Sequence, residues 1–199
     1  MEKRDPMARR LPPQQRRAEI VELTRQMIAT GAAHELTLRS IARYCGMSAP
    51  GLMHHFATVS ELLETVLHQR DHDDMAAIRA ALARDYPHPT LLDLADTVVR
   101  YYAARPIETR HFDALEARAV LPEHPAHQFF ATYRAVQPLD ITKQLAAQDY
   151  RDPEAVLRVL GVVADGLRAQ WLRQLEIPDY WGDWTAMRHH VFAHFDRSR

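Results

Sequence analysis

The sequence predicts an all-α protein of nine helices. Apolar residues recur at three- and four-residue spacing along nearly the whole chain. Only 6 glycines occur, and no long β-branched alternation that would read as a strand. The 12 prolines fall mostly between the periodic segments, where a residue without an N–H opens or closes helices. With 199 residues the chain can bury one or two real cores.

The first helix is expected from Pro13 to about Thr30, with Ile20, Leu23, Met27 and Ile28 inward and Gly31 as its stop. Two short helices follow, about Leu38–Tyr44 and Ala49–His55. Thr58-Val-Ser-Glu61 has the form of a capping box and starts a long helix reaching about Ala83. After Tyr86-Pro-His-Pro89, Thr90-Leu-Leu-Asp93 is a second capped start, for a helix to about Ala104. Pro106 opens the next, ending near Val120. Pro125 opens a longer one that carries Phe129, Phe130, Tyr133 and Val136, bends at Pro138 and ends near Gln148. Asp152-Pro153 joins an N-cap to an N1 proline and begins a helix to about Leu175. The last is expected from about Asp183 to Phe195. The implied organisation is a basic flexible arm (1–12), a three-helix domain (13–60, with the fourth helix leaving from about 58) and a larger helical domain (61–199).

Several function classes recede on composition. No apolar run approaches the roughly 20 residues that cross a bilayer. The charged start MEKRDPMARRLPPQQRR lacks the apolar stretch of a secretory signal, and the lone Cys45 excludes an intramolecular disulfide. The expected location is the cytoplasm, with no membrane partner. Cys45 reads as a small core filler rather than a redox sensor, since no second cysteine could resolve an oxidised form. Among the 12 histidines, His68/His72 and His190/His194 are spaced i, i+4. Without cysteine partners or a His-Glu-x-x-His signature, and beside Asp71, Asp73 and Asp74, they read as a solvated polar face, so no metal and no cofactor are expected. No Ser-His-Asp order, glycine-rich phosphate loop or paired-carboxylate pattern stands out, and no enzyme activity is expected.

Charge is unevenly spread. Residues 1–60 hold nine Lys/Arg against five Asp/Glu, and residues 61–199 hold sixteen against twenty-one, which together give the net −1. A basic front suits an anionic polymer, although a window this small also allows a chance excess.

The stretch from Thr37 to Phe56, TLRSIARYCGMSAPGLMHHF, satisfies what a helix-turn-helix needs. Leu38, Ile41 and small Ala42 anchor the first short helix. Gly46 occupies the turn, where a side chain would be costly. Ser48 is a natural N-cap for the second helix, and Pro50 is tolerated inside its first turn. Leu52 and Phe56, four apart, point back to the core. Ala49, Pro50, Gly51, Met53, His54 and His55 are left on or near the outer face.

The match is wider than the motif. Ile20, Gly31, Thr37, Ile41-Ala42, Gly46, Ser48, Leu52, His55-Phe56 and Leu62, between Arg17 and Val66, resemble the N-terminal domain of the TetR family of bacterial regulators in order and spacing. The resemblance implies a homodimeric, ligand-responsive repressor on a pseudo-palindromic double-stranded DNA operator. The expected DNA contacts are Thr37, Arg39, Ser48, Ala49, Pro50, Gly51, Met53, His54 and His55. His54 can meet a base edge or a phosphate, whereas Ala49 and Pro50 offer only apolar contact. Three positions depart from the family. Met53 stands where a tyrosine is usual, Val59 where a lysine is usual and Gly51 where a threonine is usual, and in relatives these typically reach phosphates. Their loss weakens affinity more than sequence choice, and Lys3, Arg4, Arg9, Arg10, Arg16 and Arg17 of the arm, with Arg39 and Arg43, are the candidates to compensate. An alternative function follows, a ligand- or partner-binding dimer whose operator affinity has decayed.

In this family the second domain binds a small molecule and dimerises, and His111–Arg134 looks like a recurring segment of some members. One short recognition helix buries little surface, while two on a twofold axis read half-sites roughly 34–36 Å apart. The last two helices would supply the interface, with Val156, Leu160, Val163 and Leu167 as its expected residues and Gly161 and Gly166 allowing close approach. The other reading of that helix is a central core element. Met75, Tyr101, Tyr102, His111, Phe112, Glu116, Phe129, Tyr133 and Trp171 join bulk to polar tips and are the candidates to line a pocket for an unknown effector.

Overall fold

The computed structural model describes residues 12–32, 35–132 and 140–197. Ten helices are described: α1 (Pro13–Ala29), α2 (Leu38–Tyr44), α3 (Ala49–Met53), α4 (Val59–Asp85), α5 (Leu91–Ala103), α6 (Pro106–Arg118), α7 (His127–Thr132), α8 (Asp140–Asp149), α9 (Pro153–Leu172) and α10 (Tyr180–Phe192). No strand occurs among the described residues, only an isolated bridge between Tyr150 and Arg197. None of their helices is long and apolar enough to cross a membrane.

The count is ten rather than nine because the helix expected from Pro125 to Gln148 is described as two, α7 and α8. Tyr133, Val136 and Pro138, on which that expectation rested, lie outside the described residues, as do Lys3, Arg4, Arg9 and Arg10 of the arm. The last helix starts at Tyr180, not Asp183. Asp179 is its N-cap and accepts from the Gly182 N–H at 2.9 Å. Gly182 suits that cap, because a Cβ there would collide with the Asp179 carboxylate. The preceding helix ends at Leu172 rather than Leu175, whose side chain is 99% exposed.

The chain forms two compact units, Met1–Val66 and Leu67–Arg199, with α4 contributing to both. In the first, Ile20, Met27, Ile28, Ile41, Ala42, Leu52, Phe56, Leu62 and Val66 are buried, and the helical spacing seen in the sequence accounts for them. Thr24, fully buried, satisfies its hydroxyl by donating to the Ile20 carbonyl at 2.7 Å. In the second, Ile78, Leu82, Leu91, Leu94, Leu145, Val156, Leu167, Trp171, Tyr180, Trp184 and Phe192 form one cluster drawn from α4, α5, α8, α9 and α10. Its buried carboxylate, Asp96, accepts from the Trp184 indole at 2.7 Å and pairs with Arg188. A buried charge is tolerable only when paired and hydrogen-bonded in this way.

Candidate functional site

The geometry of Thr37–Phe56 follows from three local devices. Thr37 caps α2 through a reciprocal box in which its hydroxyl accepts from the Ser40 N–H at 3.1 Å and Ser40 Oγ accepts from the Thr37 N–H at 3.0 Å. At the far end the Met47 N–H reaches the Ala42 carbonyl at 2.9 Å and the Gly46 N–H the Arg43 carbonyl at 3.1 Å. This paired closure needs a left-handed residue, and Gly46 has φ +68°. Ser48 then caps α3, accepting from the Gly51 N–H at 3.1 Å, with Pro50 inside the first turn.

α3 has only five residues, so its orientation comes from packing rather than its own stability. Leu52 within it and Phe56 just beyond are both 0% exposed. On the opposite side Pro50 and His54 are exposed and Met53 is 53% exposed, while Ala49, Gly51 and His55 are half-buried. Thr37, Arg39, Arg43 and Ser48 are exposed. The rings of His54 and His55 meet edge to face at 5.4 Å. Partial burial, and then the charges of His54, Arg16 and Arg17, hold the His55 imidazole below the usual histidine range. Val59, half-buried, is the first residue of α4. Gly51 is more than a missing threonine, because a Cβ there would lie 3.1 Å from the capping Ser48 Oγ.

Two expectations change here. Arg16 and Arg17 do not belong to a loose basic arm. Arg16 pairs with Glu19 at 2.5 Å, and Arg17 is engaged by His55, Phe56 and Glu61. Cys45 is half-buried at the C-cap of α2 rather than within the core. Burial pushes its thiol up, against an opposing hydrogen bond with Thr24. Sequence reasoning also passed over Tyr44, 39% exposed at the end of α2 beside Arg43. A helix-terminal aromatic next to an outward arginine was the available signal.

In the second unit, the polar centre of the middle helices is a group that the sequence reading did not single out. Asp74, taken there for part of a solvated face, is 9% exposed. Its carboxylate accepts from the Tyr101 hydroxyl at 2.7 Å and the Tyr102 hydroxyl at 3.3 Å. Burial and then this bond push the Tyr101 phenol up to about 12. Arg70, one turn earlier, lies with its guanidinium 3.9 Å from the centre of the Phe112 ring. Its Nε is 3.5 Å from an Asp74 oxygen, yet this buried nitrogen makes no hydrogen bond. The i, i+4 spacing of Arg70 and Asp74 was the sequence signal for this pair.

The remaining pocket candidates divide between separate surroundings. Met75, Tyr101 and Tyr102 are half-buried against the core cluster, of which Trp171 is a member. Trp171 donates to Asp183 at 2.8 Å and meets Tyr180 edge-on at 4.4 Å. Glu116 serves Arg168, whose Nη2 also reaches Asp113 at 2.6 Å. Burial works against the Arg168 charge, but the two carboxylates outweigh it and hold the guanidinium more firmly protonated than usual. Phe129 is buried beside the His68 ring at 5.0 Å, and His111 is half-buried. Tyr133 lies outside the described residues. Among the described residues, no three His, Cys, Asp or Glu side chains are grouped to hold a metal ion.

On α9 the expected interface residues face inward. Val156 is 0% and Leu167 6% exposed within the core cluster, and Leu160 and Val163 pack against it half-buried. The exposed large apolar residues of this helix are Val159, at 38%, and Val162, at 69%. Gly161 and Gly166 are open on the surface.

Residues 20–66 match the family model described as bacterial regulatory proteins, tetR family. No curated protein sequence matches the chain. Among solved structures, a putative TetR-family transcriptional regulator from Rhodococcus sp. superposes with a TM-score of 0.63 at 20% identity, over 89% of this chain and 98% of that one. A superantigen named PfiT gives 0.58 at 17% identity, over 94% and 99%. A bacterial regulatory protein of the tetR family from Rhodococcus RHA1 gives 0.57 at 19%, over 93% and 99%. At such identities the likeness is one of fold: residues 20–66 carry the N-terminal domain that the tetR family model describes, and the chain as a whole shares the all-α architecture of the solved TetR-family structures.

Proposed function

We propose that the protein is a ligand-responsive transcriptional repressor that acts in the cytoplasm as a homodimer on a pseudo-palindromic operator. The observation that carries this reading is the presentation of α3. Leu52 and Phe56 hold its inner side at 0% exposure, while Pro50, Met53 and His54 stand in solvent, as do Arg39 and Arg43 on α2. A short helix so displayed fits the major groove, with the flanking cations against phosphates. The proposed contacts are Thr37, Arg39, Ser48, Ala49, Pro50, Gly51, Met53, His54 and His55, joined by Arg43 and Tyr44. Among these, the Thr37 hydroxyl is already engaged in its cap.

The dimer face we assign to the exposed side of α9, at Val159 and Val162, with the neighbouring surface of α10. The effector would lie against the middle helices near Arg70, Tyr101, Tyr102 and Phe112, where a buried guanidinium N–H without an acceptor suits an oxygen of the ligand. Effector and operator would then weaken one another by the same factor.

Titration of the purified protein against the DNA upstream of its own coding sequence, at several salt concentrations and with an unrelated duplex as control, tests the reading. A specific complex of two chains per site is expected. Absence of any preference for that DNA even at low salt would count against a repressor of that site. A second reading is favoured by one observation, the apolar Met53 and Val59 where phosphate-binding groups are usual in the family: a TetR-like dimer that binds a ligand or partner and has lost most of its operator affinity.

A further inference from the structure

Arg17 gathers three segments of the first unit onto one guanidinium. It projects from α1 and donates to the backbone carbonyl of His55, just past the end of α3. Its Nη2 lies 2.9 Å from Glu61 Oε1, in the first turn of α4. Its guanidinium carbon sits 3.8 Å from the centre of the Phe56 ring, and Phe56 is itself fully buried. The second Glu61 oxygen accepts from the Ala57 N–H at 2.9 Å, so the link between α3 and α4 is held at both ends. Glu61 is the capping-box residue of α4, but its carboxylate reaches back to Ala57 and across to Arg17, while Thr58 Oγ1 takes the Glu61 N–H at 3.0 Å. Hydrogen bonds from Arg17 and Ala57 hold its carboxyl below the usual glutamate range.

We infer that Arg17 is a positioning residue that fixes the exit of the recognition helix, rather than one of the cations that neutralise DNA phosphate. A five-residue helix cannot hold its own direction. Ser48 ties its start, Leu52 buries its inner side, and the chain leaves it through His54 and His55, whose N–H groups close on the Pro50 and Leu52 carbonyls. The Arg17 fork holds the His55 carbonyl, just past that end, while stacking on Phe56, the aromatic residue that anchors it. That combination needs a planar, delocalised cation; the point charge of a lysine cannot reproduce it. The charge of Arg17 is meanwhile opposed by Glu61 at contact distance. The consequence for DNA binding rests on the operator reading given above, whereas the clamp itself does not.

The test uses the full chain and Arg17→Ala, Arg17→Lys, Glu61→Ala and the Arg17→Ala/Glu61→Ala double variant. In the DNA-free protein, hydrogen exchange of peptides spanning residues 52–62 is expected to quicken about five- to tenfold in Arg17→Ala and in Arg17→Lys, with peptides over 38–45 unchanged. Against the upstream DNA, Arg17→Ala and Glu61→Ala should weaken affinity to a similar degree, with the double variant no worse than either single one. The slope of log affinity against log salt should stay at the wild-type value. A slope flattened by about one unit in Arg17→Ala, with Glu61→Ala neutral or tighter, would make Arg17 a phosphate contact and overturn the inference. Unchanged exchange at 52–62, uniformly faster exchange across the first unit, or full restoration by lysine would also overturn it. If the wild-type protein shows no specific DNA binding, the operator reading fails alone, and the exchange experiment still decides the clamp.

Discussion

Gly46 offers the cleanest test of how the turn between α2 and α3 is made. Its φ of +68° is a left-handed value, and a Cβ built there would meet nothing within 4 Å. Any cost of a side chain at 46 is therefore a backbone cost, uncomplicated by crowding. For an alanine that cost is about 1–2 kcal/mol, reduced by roughly 0.4–1 kcal/mol because the unfolded chain also loses freedom, so Gly46→Ala should destabilise the unit by about 1 kcal/mol. Asparagine enters this region more easily, and Gly46→Asn should cost about half as much. Trp171, Trp181 and Trp184 all lie in the second unit, so their fluorescence does not report this change directly. Hydrogen exchange of peptides over residues 38–56 does. It should quicken about fivefold in Gly46→Ala and roughly twofold in Gly46→Asn, with peptides beyond residue 67 unaffected. Wild-type exchange in Gly46→Ala, or an asparagine variant as fast as alanine, would refute the argument from φ.

Restoring Met53→Tyr and Val59→Lys should strengthen DNA binding and steepen the salt dependence by about 0.9 for the added cation, so that going from about 200 to 50 mM salt gains an extra factor of about 3.5. A slope equal to wild type in a gel-shift or anisotropy titration would show that residue 59 does not meet phosphate. The His55 imidazole, held below its ordinary range by partial burial and then by neighbouring positive charge, should regain a proton beside phosphate, so affinity should rise as pH falls from about 7.5 to 6 and His55→Gln should flatten that rise. The stability of the DNA-free unit should move the other way, because the unfolded state takes up the proton first as pH drops through about 6.5, and a pH-independent affinity would exclude His55 from the contact.

The first unit was legible because its devices are local. Thr37, Gly46, Ser48 and Pro50 each act within a few residues of themselves, and Leu52 with Phe56 obeys a one-turn spacing, so sequence order was enough to place them. The surroundings of Arg17 were not legible for the opposite reason. Its partners are 38 and 44 residues away, and from the sequence alone it was one cation in a basic run. Asp74 failed in the same manner. Among Asp71, His72 and Asp73 it read as surface, yet the phase of α4 turns it toward Tyr101 and Tyr102, 27 and 28 residues on. The start of the last helix was placed three residues late, at Asp183 instead of Tyr180. Its N-cap is Asp179, whose carboxylate is admitted by the glycine at 182.

The apolar residues of α9 divide between two faces of the helix. Val156, Leu160, Val163, Leu167 and Trp171 follow one another at intervals of four, three, four and four, and that phase is the one buried in or against the core of the second unit. Arg168, turned another way, is taken up by Asp113 and Glu116 on α6. Val159, Val162, Gly166 and Ala169 also repeat at three and four, but roughly a third of the way round the cylinder from the core stripe, and all four are exposed. A helix that served only its own core would have no use for a second apolar stripe with valine 69% exposed at its centre. The exposed stripe is the one we propose for a contact between two copies. The proposed contact between two copies belongs to Val159 and Val162, where small neighbours at 166 and 169 would let a second helix approach, while Val156 and Leu167 are already spent inside one chain.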